Sequence, residues 1–356
     1  MRMRLLQVLL LPFSICYGLI MMVRNLLYNL DLLHSESIDI PVISVGNLCM
    51  GGTGKTPHVE YLIRLLSHKI FTATLSRGYG RESNGFILGS RRSNVKYIGD
   101  EPLQYVKKFN NIKVAVDEKR VRGIRNLREK FPDLGLILLD DGFQHRSVRP
   151  GISILLTDYH HLYTEDHVVP SGHLREFRLG AHRADVIVVT KTPKIFSPIT
   201  RRRITEELKP GPHQHLFFSY ISYGIPVPLL EDSGFSVPDK LSYILLFTGI
   251  ADDYPLQEEV KRRCTYLSVM KFPDHHQYNP RDVENIIKRF DDLPSRKKII
   301  LTTEKDMMRL KTPELVVLLK NLPLFYLPIE IDFHEKDKQA FDKLILDYVE
   351  QNQRNR

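Results

Sequence analysis

The chain has 356 residues, 42% of them hydrophobic and 26% charged, an ordinary globular composition that argues against bulk disorder and allows about two domains. Its formal net charge of +9 points to an acidic partner: phosphates, nucleic acid or an anionic membrane. Three cysteines (Cys16, Cys49 and Cys264) lie far apart with no CxxC pair, which fits a reducing compartment and argues against a structural zinc site.

From Leu5 to Val23 no residue is charged, and Arg2, Arg4 and Arg24 flank the run. At about 1.5 Å per residue, a helix of this length roughly spans a bilayer's hydrocarbon. A signal peptide needs a small-residue cleavage site, and the residues after the run, Leu26 to Leu30, offer none. Gln7, Pro12, Ser14 and Gly18 weaken a spanning helix. A monotopic helix in the interface, with its arginines on anionic headgroups, is the preferred reading. A helix packed on the protein's own core is the plainer alternative.

Ile40 to Leu66 reads as strand, glycine loop, helix. A β-branched run ends at Gly46-Asn47, and Val59, Leu62, Ile63 and Leu66 recur at helical spacing beyond Pro57. Between them lie Cys49, Met50, Gly51, Gly52, Thr53, Gly54, Lys55 and Thr56. Backbone N–H groups, a helix N-terminus and a lysine then face a nucleotide's phosphates, and Thr56 is placed to hold Mg²⁺. The pattern G-x-x-x-x-G-K-S/T expects its first glycine at Cys49, so the loop is the variant form with a glycine pair before GKT.

A second strand, Phe71 to Leu75, leads into Ser76-Arg77-Gly78-Tyr79-Gly80-Arg81 at the edge where open α/β sheets bind ligands. Arg77 there, and Asn47 at the end of the first strand, are assigned to the substrate; for the Ser76–Arg81 turn a solvated loop is the plainer alternative. In Gly99-Asp100-Glu101-Pro102, Asp100 reads locally as an N-cap before a helical run from Leu103 to Phe109. Val114 to Val116 is another strand, and Asp117 to Phe131 a basic helix from which one arginine can turn inward.

Leu134 to Asp141 is an apolar strand ending in two carboxylates, the Walker-B arrangement, with Asp140 and Asp141 facing Thr56 as metal ligands. Strands Ile152–Asp158 and Asp185–Lys191 continue the βα alternation, so the fold class is α/β with a doubly wound, mainly parallel sheet. The histidines between them fit no metal-ligand spacing. Gly172-His173-Leu174-Arg175-Glu176, by contrast, presents an arginine beside a glutamate in a glycine turn, which suits phosphoryl transfer. After a Gly/Pro-punctuated linker, strands at Tyr243–Phe247, Leu267–Phe272, Lys298–Thr303 and Leu324–Leu327 form a second series. Its helices fall near Leu256–Cys264, Pro280–Phe290, Pro313–Leu322 and Lys336–Gln353.

The motifs GNLCMGGTGKTP, LSRGYG, GDEP, DDGFQH, GHLRE, FPDHH and TTEKD run in this order from Gly46 to Asp306. Together they resemble the tetraacyldisaccharide 4′-kinases of lipid A biosynthesis. The resemblance implies two α/β domains: a membrane-associated helix over residues 1–30, a P-loop kinase domain over 31–222, a linker at 223–239 and a smaller domain over 240–356 whose last helix can pack back on the first. It implies ATP and Mg²⁺ and a lipid disaccharide 1-phosphate substrate that becomes lipid IVA. It places the protein, peripheral or monotopic, at the cytoplasmic face of the inner membrane, and a monomer is expected.

Residue by residue, the resemblance makes Lys55 the contact to the β/γ-phosphates and Asp100 the catalytic base, with His275 as its partner. It sets Arg175 and Glu176 near the transferred phosphate and Arg120 on the substrate's phosphate. His276 leaves a second candidate for the histidine, and His173 stands where the family usually has another residue. A membrane-bound P-loop switch or partitioning ATPase is the competing function. A nucleic-acid partner is not expected, because no basic stripe is interleaved with aromatics.

Overall fold

The computed structural model describes residues 5–230, 234–250, 252–274 and 276–354, without the side chains of residues 5, 6 and 354. The chain forms two compact units, Met1–Ile221 with Ile331–Arg356, and Ser222–Glu330.

In chain order the first unit opens with α1 (Leu5–Asn29), β1 (Glu36–Ser37), β2 (Val42–Asn47), α2 (Lys55–Leu66), β3 (Thr72–Ser76) and β4 (Ile87–Leu88). It continues through α3 (Val95–Ile98), α4 (Asp100–Lys108), β5 (Ile112–Val116), α5 (Arg120–Lys130), β6 (Leu136–Asp140) and β7 (Val148–Arg149). Then come β8 (Ile152–Asp158), β9 (Val186–Thr190), α6 (Pro198–Leu208) and β10 (His215–Tyr223). The second unit holds β11 (Val227–Pro228), β12 (Leu241–Thr248), α7 (Tyr254–Lys261), β13 (Cys264–Lys271) and α8 (Pro280–Asp291). It ends with β14 (Lys298–Thr303), α9 (Glu304–Leu310), α10 (Pro313–Leu319) and β15 (Leu324–Leu327), after which β16 (Ile329–Phe333) and α11 (Glu335–Arg354) close the first unit.

Among the described residues the main sheet has the order β16-β10-β9-β8-β2-β6-β3-β5-β4, parallel from β10 to β5 with β4 antiparallel at the edge. Its central strands are buried on both faces, which is why they read as unbroken apolar runs rather than alternating ones. Because they are parallel, the residues following β2, β3, β6 and β8 all emerge at one edge. The order reverses at β2, which lies between β6 and β8 although β3 follows it in the chain. That switch point opens the crevice in which such sheets bind ligands. Helix α11 packs on this unit, stacking Phe341 on Phe333 with ring centroids 4.4 Å apart and accepting a hydrogen bond from Tyr61 of α2 on Asp342 at 2.7 Å.

The second unit carries its own sheet, β11-β15-β14-β12-β13, parallel except for β11. The expected linker is therefore partly structured, since β11 pairs with β15. Helix α9 was not expected. Thr303 ends β14 and its hydroxyl also caps α9 by accepting from the Asp306 N–H, so no turn residue separates strand from helix. Asp306 and Arg309 are fully buried and paired at 3.2 Å. Asp306 also accepts from the Gly249 N–H at 3.0 Å, while Arg309 donates to the Gly249 carbonyl at 3.1 Å, so the pair grips the loop after β12. Removing one partner strands a buried charge, and Asp306→Ala is expected to cost about 3–5 kcal/mol of stability, read as a lower urea midpoint. A midpoint equal to the parent's excludes this role for the pair.

Candidate active site

The glycine loop is built from both ends. Asn47, the last residue of β2 and fully enclosed, donates through Nδ2 to the Thr53 hydroxyl at 2.9 Å and accepts from Lys55 Nζ at 3.3 Å. Asn47, expected at the substrate, thus braces the loop from inside. Cβ atoms built on Gly51 and Gly52 meet nothing within 4 Å, so the outer face of the loop is open for a phosphate. Lys55 and Thr56 occupy the first turn of α2, where the macrodipole favours anions. Cys49 forms an antiparallel bridge with Leu174: Met50 N–H donates to the His173 carbonyl and Arg175 N–H to the Leu48 carbonyl, both at 2.7 Å. That bridge brings Arg175 beside the loop. Burial pushes the Cys49 thiol up to about 12, so it is an inert wall.

Strand β6 delivers the acidic pair, and the two carboxylates differ sharply. Asp140 is 4% exposed; its Oδ2 accepts from the Tyr105 hydroxyl at 3.0 Å and its Oδ1 is buried without a hydrogen-bond partner. Burial, reinforced by Glu101 and Asp141, raises it to about 6. Asp141 adopts a left-handed backbone with φ 50°, and its carboxylate receives Arg175 Nη1 at 3.0 Å and Lys55 Nζ at 3.5 Å. Burial opposes its charge, but Lys55 and Arg175 overcome that and hold it below the usual carboxylate range. Gln144, from the same DDGFQH turn, accepts from Arg175 at 3.3 Å and donates to the Asn47 carbonyl at 2.8 Å, which fixes the orientation of its amide. Glu176 is 2% exposed and accepts both Arg183 nitrogens, at 2.9 and 2.8 Å.

Asp100 is not an N-cap. Gly99 is the cap and Asp100 stands at the first position of α4, 6% exposed. Gly99 has φ 88°, and a Cβ there would lie 2.9 Å from the Tyr79 carbonyl, so only glycine lets the GYG turn lie against the start of α4. Arg77 of that turn is exposed, whereas Arg81 is committed to Glu118 and to the Gly85 carbonyl. Arg120, expected against a substrate phosphate, is enclosed at 1% exposure, donating to the Asp117 carbonyl at 2.5 Å and to that of Asp140 at 3.4 Å.

In the second unit, the loops after β12, β13 and β14 share one sheet edge, and His276 lies against Gly249 there. His276 Nε2 is 2.9 Å from Asp282, which closes the capping box of α8, and its ring stacks on Phe272 at 4.9 Å. That histidine has a structural task. His275 lies outside the described residues.

The family model for tetraacyldisaccharide-1-P 4′-kinase, LpxK, matches residues 6–350. The chain belongs to this family. A curated relative of that name from Flavobacterium johnsoniae is 45% identical over 350 residues, covering 98% of this chain and 99% of its own. Another, from Bacteroides thetaiotaomicron, is 43% identical over 357 residues, covering 97% and 93%. A crystal structure of LpxK from Aquifex aeolicus, described as its "apo" form in complex with ATP, is 28% identical with a TM-score of 0.72 and covers 97% of this chain and 100% of its own. The α/β fold with mainly parallel sheets and an apolar N-terminal helix is thus that of a phosphotransferase family, and the alternative of a partitioning ATPase is not favoured.

The donor set of this kinase fits the Mg²⁺ that its family implies. Thr56, Asp140 and Asp141 offer hard oxygen ligands, and the unsatisfied Oδ1 of buried Asp140 is an atom that a cation would satisfy. Sequence reasoning missed Gln144 and Tyr105, although Gln144 lies inside a motif already singled out. It also missed His58. This ring sits behind the loop, with Nδ1 2.6 Å from the Gly54 carbonyl and Nε2 3.0 Å from the Ser219 hydroxyl. The carbonyl can only accept, so Nδ1 carries the proton and Nε2 accepts from Ser219.

Burial holds His58 down at about 4, against an ordinary 6.5. Its folded value is depressed, so the stability it contributes is complete above pH 6.5 and is lost as pH falls toward 4. Between pH 7 and 4.5 this amounts to about 2–3 kcal/mol. His58→Gln is expected to remove that part of the acid loss in urea titrations at the two pH values; an unchanged difference between them counts against a buried neutral imidazole.

Proposed function

We propose that this kinase transfers the γ-phosphoryl group of ATP to the 4′-hydroxyl of a tetraacyldisaccharide 1-phosphate, giving the doubly phosphorylated lipid IVA. The carrying observation is the convergence of Lys55, Arg175 and the Asp140–Asp141 pair at one strand end, in a chain of this family. The acceptor oxygen bonds to the γ-phosphorus as the bond from that phosphorus to the ADP oxygen breaks. Lys55 and Arg175 meet the charge on the phosphoryl oxygens. Magnesium, when bound by Thr56, Asp140 and Asp141, neutralises charge on the phosphates.

Asp100 takes the hydroxyl proton. A lone aspartate near 3.9 is a poor base for a sugar hydroxyl, and sharing the proton with the His275 imidazole raises its effective basicity. Arg77, the exposed cation beside the start of α4, is the contact for the acceptor's phosphate, and Arg120 backs the acidic pair from behind. Glu176 orients Arg175 through Gln144.

On this reading the enzyme works at the cytoplasmic face of the inner membrane, where ATP is supplied. Among the described residues, α1 is the helix long and apolar enough to cross a membrane. Leu9, Phe13 and Ile20 on it are each more than 60% exposed. Arg24, expected on headgroups, is instead turned to the protein, and Arg2 and Arg4 lie outside the described residues. A monotopic placement suits a helix with one docked side and one bare apolar side. One unit holds the phosphate-binding groups named here, so a monomer suffices.

Lys55→Ala is expected to lower turnover at least about 100-fold, measured as transfer of label from γ-labelled ATP to the disaccharide 1-phosphate. Full turnover by the purified variant would overturn the loop assignment. Asp100→Ala and His275→Ala should each slow kcat strongly, and the double variant should be little slower than either single one. Losses that multiply would break the dyad.

A further inference from the structure

Helix α1 carries a stripe that its role as an anchor does not explain. Gln7, Ser14, Gly18 and Asn25 recur on one side of the helix. All four meet the loop that carries Arg175 and Glu176. The Gln7 carbonyl accepts from the Ser171 hydroxyl at 2.9 Å, and the Ser14 hydroxyl accepts from the Ser171 N–H at 2.8 Å. A Cβ at Gly18 would fall 2.4 Å from the Phe177 ring, so the ring packs directly on the glycine and a larger residue there would make it shift. Asn25 Nδ2 donates to Glu176 Oε2 at 2.6 Å. One residue earlier, Arg24 donates to the Gln144 carbonyl at 3.2 Å.

Glu176 is the node. It is 2% exposed and accepts from Arg183 twice, from Asn25 and from Gln144. From Gln144 the chain of bonds continues to Arg175 and to the Asn47 carbonyl, and from Arg175 to Asp141. An anchor has no use for the Asn25 amide: its Oδ1 is buried without a partner, which costs about 1–3 kcal/mol. An apolar residue would serve attachment better.

We propose that Asn25 is a positioning residue for phosphoryl transfer: through Glu176 and Gln144 it holds the Arg175 guanidinium at its station beside Asp141, which makes α1 a wall of the active site as well as a membrane contact. This rests on the assignment of Arg175 and Glu176 to the transfer site. Fixing one oxygen of Glu176 leaves the other to orient the Gln144 amide, and the amide fixes the guanidinium. Loss of such supporting hydrogen bonds lets a reacting group drift by a fraction of an ångström, which lowers rate more than ground-state binding.

The test uses the full-length protein in detergent micelles containing tetraacyldisaccharide 1-phosphate, so that membrane attachment does not limit access. Asn25→Ala is expected to lower kcat about ten- to hundred-fold, with KM for ATP within about two-fold of the parent. Ser14→Ala, which removes a docking bond of the same helix away from Glu176, is expected to keep the parental kcat. Parental kcat in Asn25→Ala overturns the proposal, and so does an equal loss in Ser14→Ala, which would mean that general docking of the helix is what matters. Should Asn25→Ala fail to fold, Asn25→Leu, close in size but without the amide, removes the same bond to Glu176 and is expected to show the same loss in kcat alone; parental kcat there overturns the proposal too. Glu176→Gln separates the two levels. If it keeps full kcat, the assignment of Glu176 to the site fails; if it loses kcat while Asn25→Ala does not, only the role of Asn25 fails.

Discussion

Two adjacent carboxylates at the end of one buried strand cannot share one environment, and the rest of the site follows from how they are separated. β6 keeps Asp140 within the sheet, under Tyr105 and away from water. The left-handed turn at Asp141, φ 50°, then swings the next carboxylate to face Lys55 and Arg175. Such a backbone is uncommon for a residue other than glycine, and it persists here because two cations reward the result. One carboxyl is raised to about 6, chiefly by burial, and the other is held low by Lys55 and Arg175 against the burial that opposes its charge. Lys55 and Arg175 come from elements far apart in the chain, and both cations meet at the Asp141 carboxylate.

The same device recurs in the second unit. There Asp306 and Arg309 are enclosed completely and hold both polar groups of the Gly249 backbone. In each unit a loop at the C-terminal edge of a parallel sheet, where backbone groups lack ladder partners, is tied down by a charged pair.

The fold was legible where local chemistry settles it. Ile152–Asp158, Lys298–Thr303 and Leu324–Leu327 came out residue for residue, because each is a short, largely apolar or β-branched run of strand length. β10 was missed: Ser219 and the polar ends of His215–Tyr223 blur the apolar run. α9 was missed because Thr303 serves strand and helix at once. The glycine loop and the acidic pair were readable as types of residue at a spacing. The direction in which a side chain turns was not readable. Arg120 and Arg125 sit on one basic helix, yet the first is enclosed and the second pairs with Glu36 at the surface. Asn47, assigned to the substrate, is fully enclosed and braces the glycine loop. His276 and His275 are adjacent in sequence, and only the capping box of α8 assigns the former.

The polar stripe of α1 also bears on the proposed membrane placement of the helix. A spanning helix must satisfy every polar group within itself or against other buried protein, since hydrocarbon offers no partner and each unsatisfied group costs several kcal/mol. Ser14, Asn25 and Arg24 have their partners in residues 144–176 of the first unit, so pulling the helix into the bilayer core breaks those bonds and exposes the amide and the guanidinium to lipid. Lying in the interface keeps them intact and still buries Leu9, Phe13 and Ile20, which point away from the docked stripe. The period of 3.6 residues lets one helix serve both surfaces, because residues three, four or seven apart return to one side while those two or five apart face the other. On the proposed reading, a lipid acceptor then reaches the catalytic loop without leaving the surface to which that loop's own supporting helix is attached.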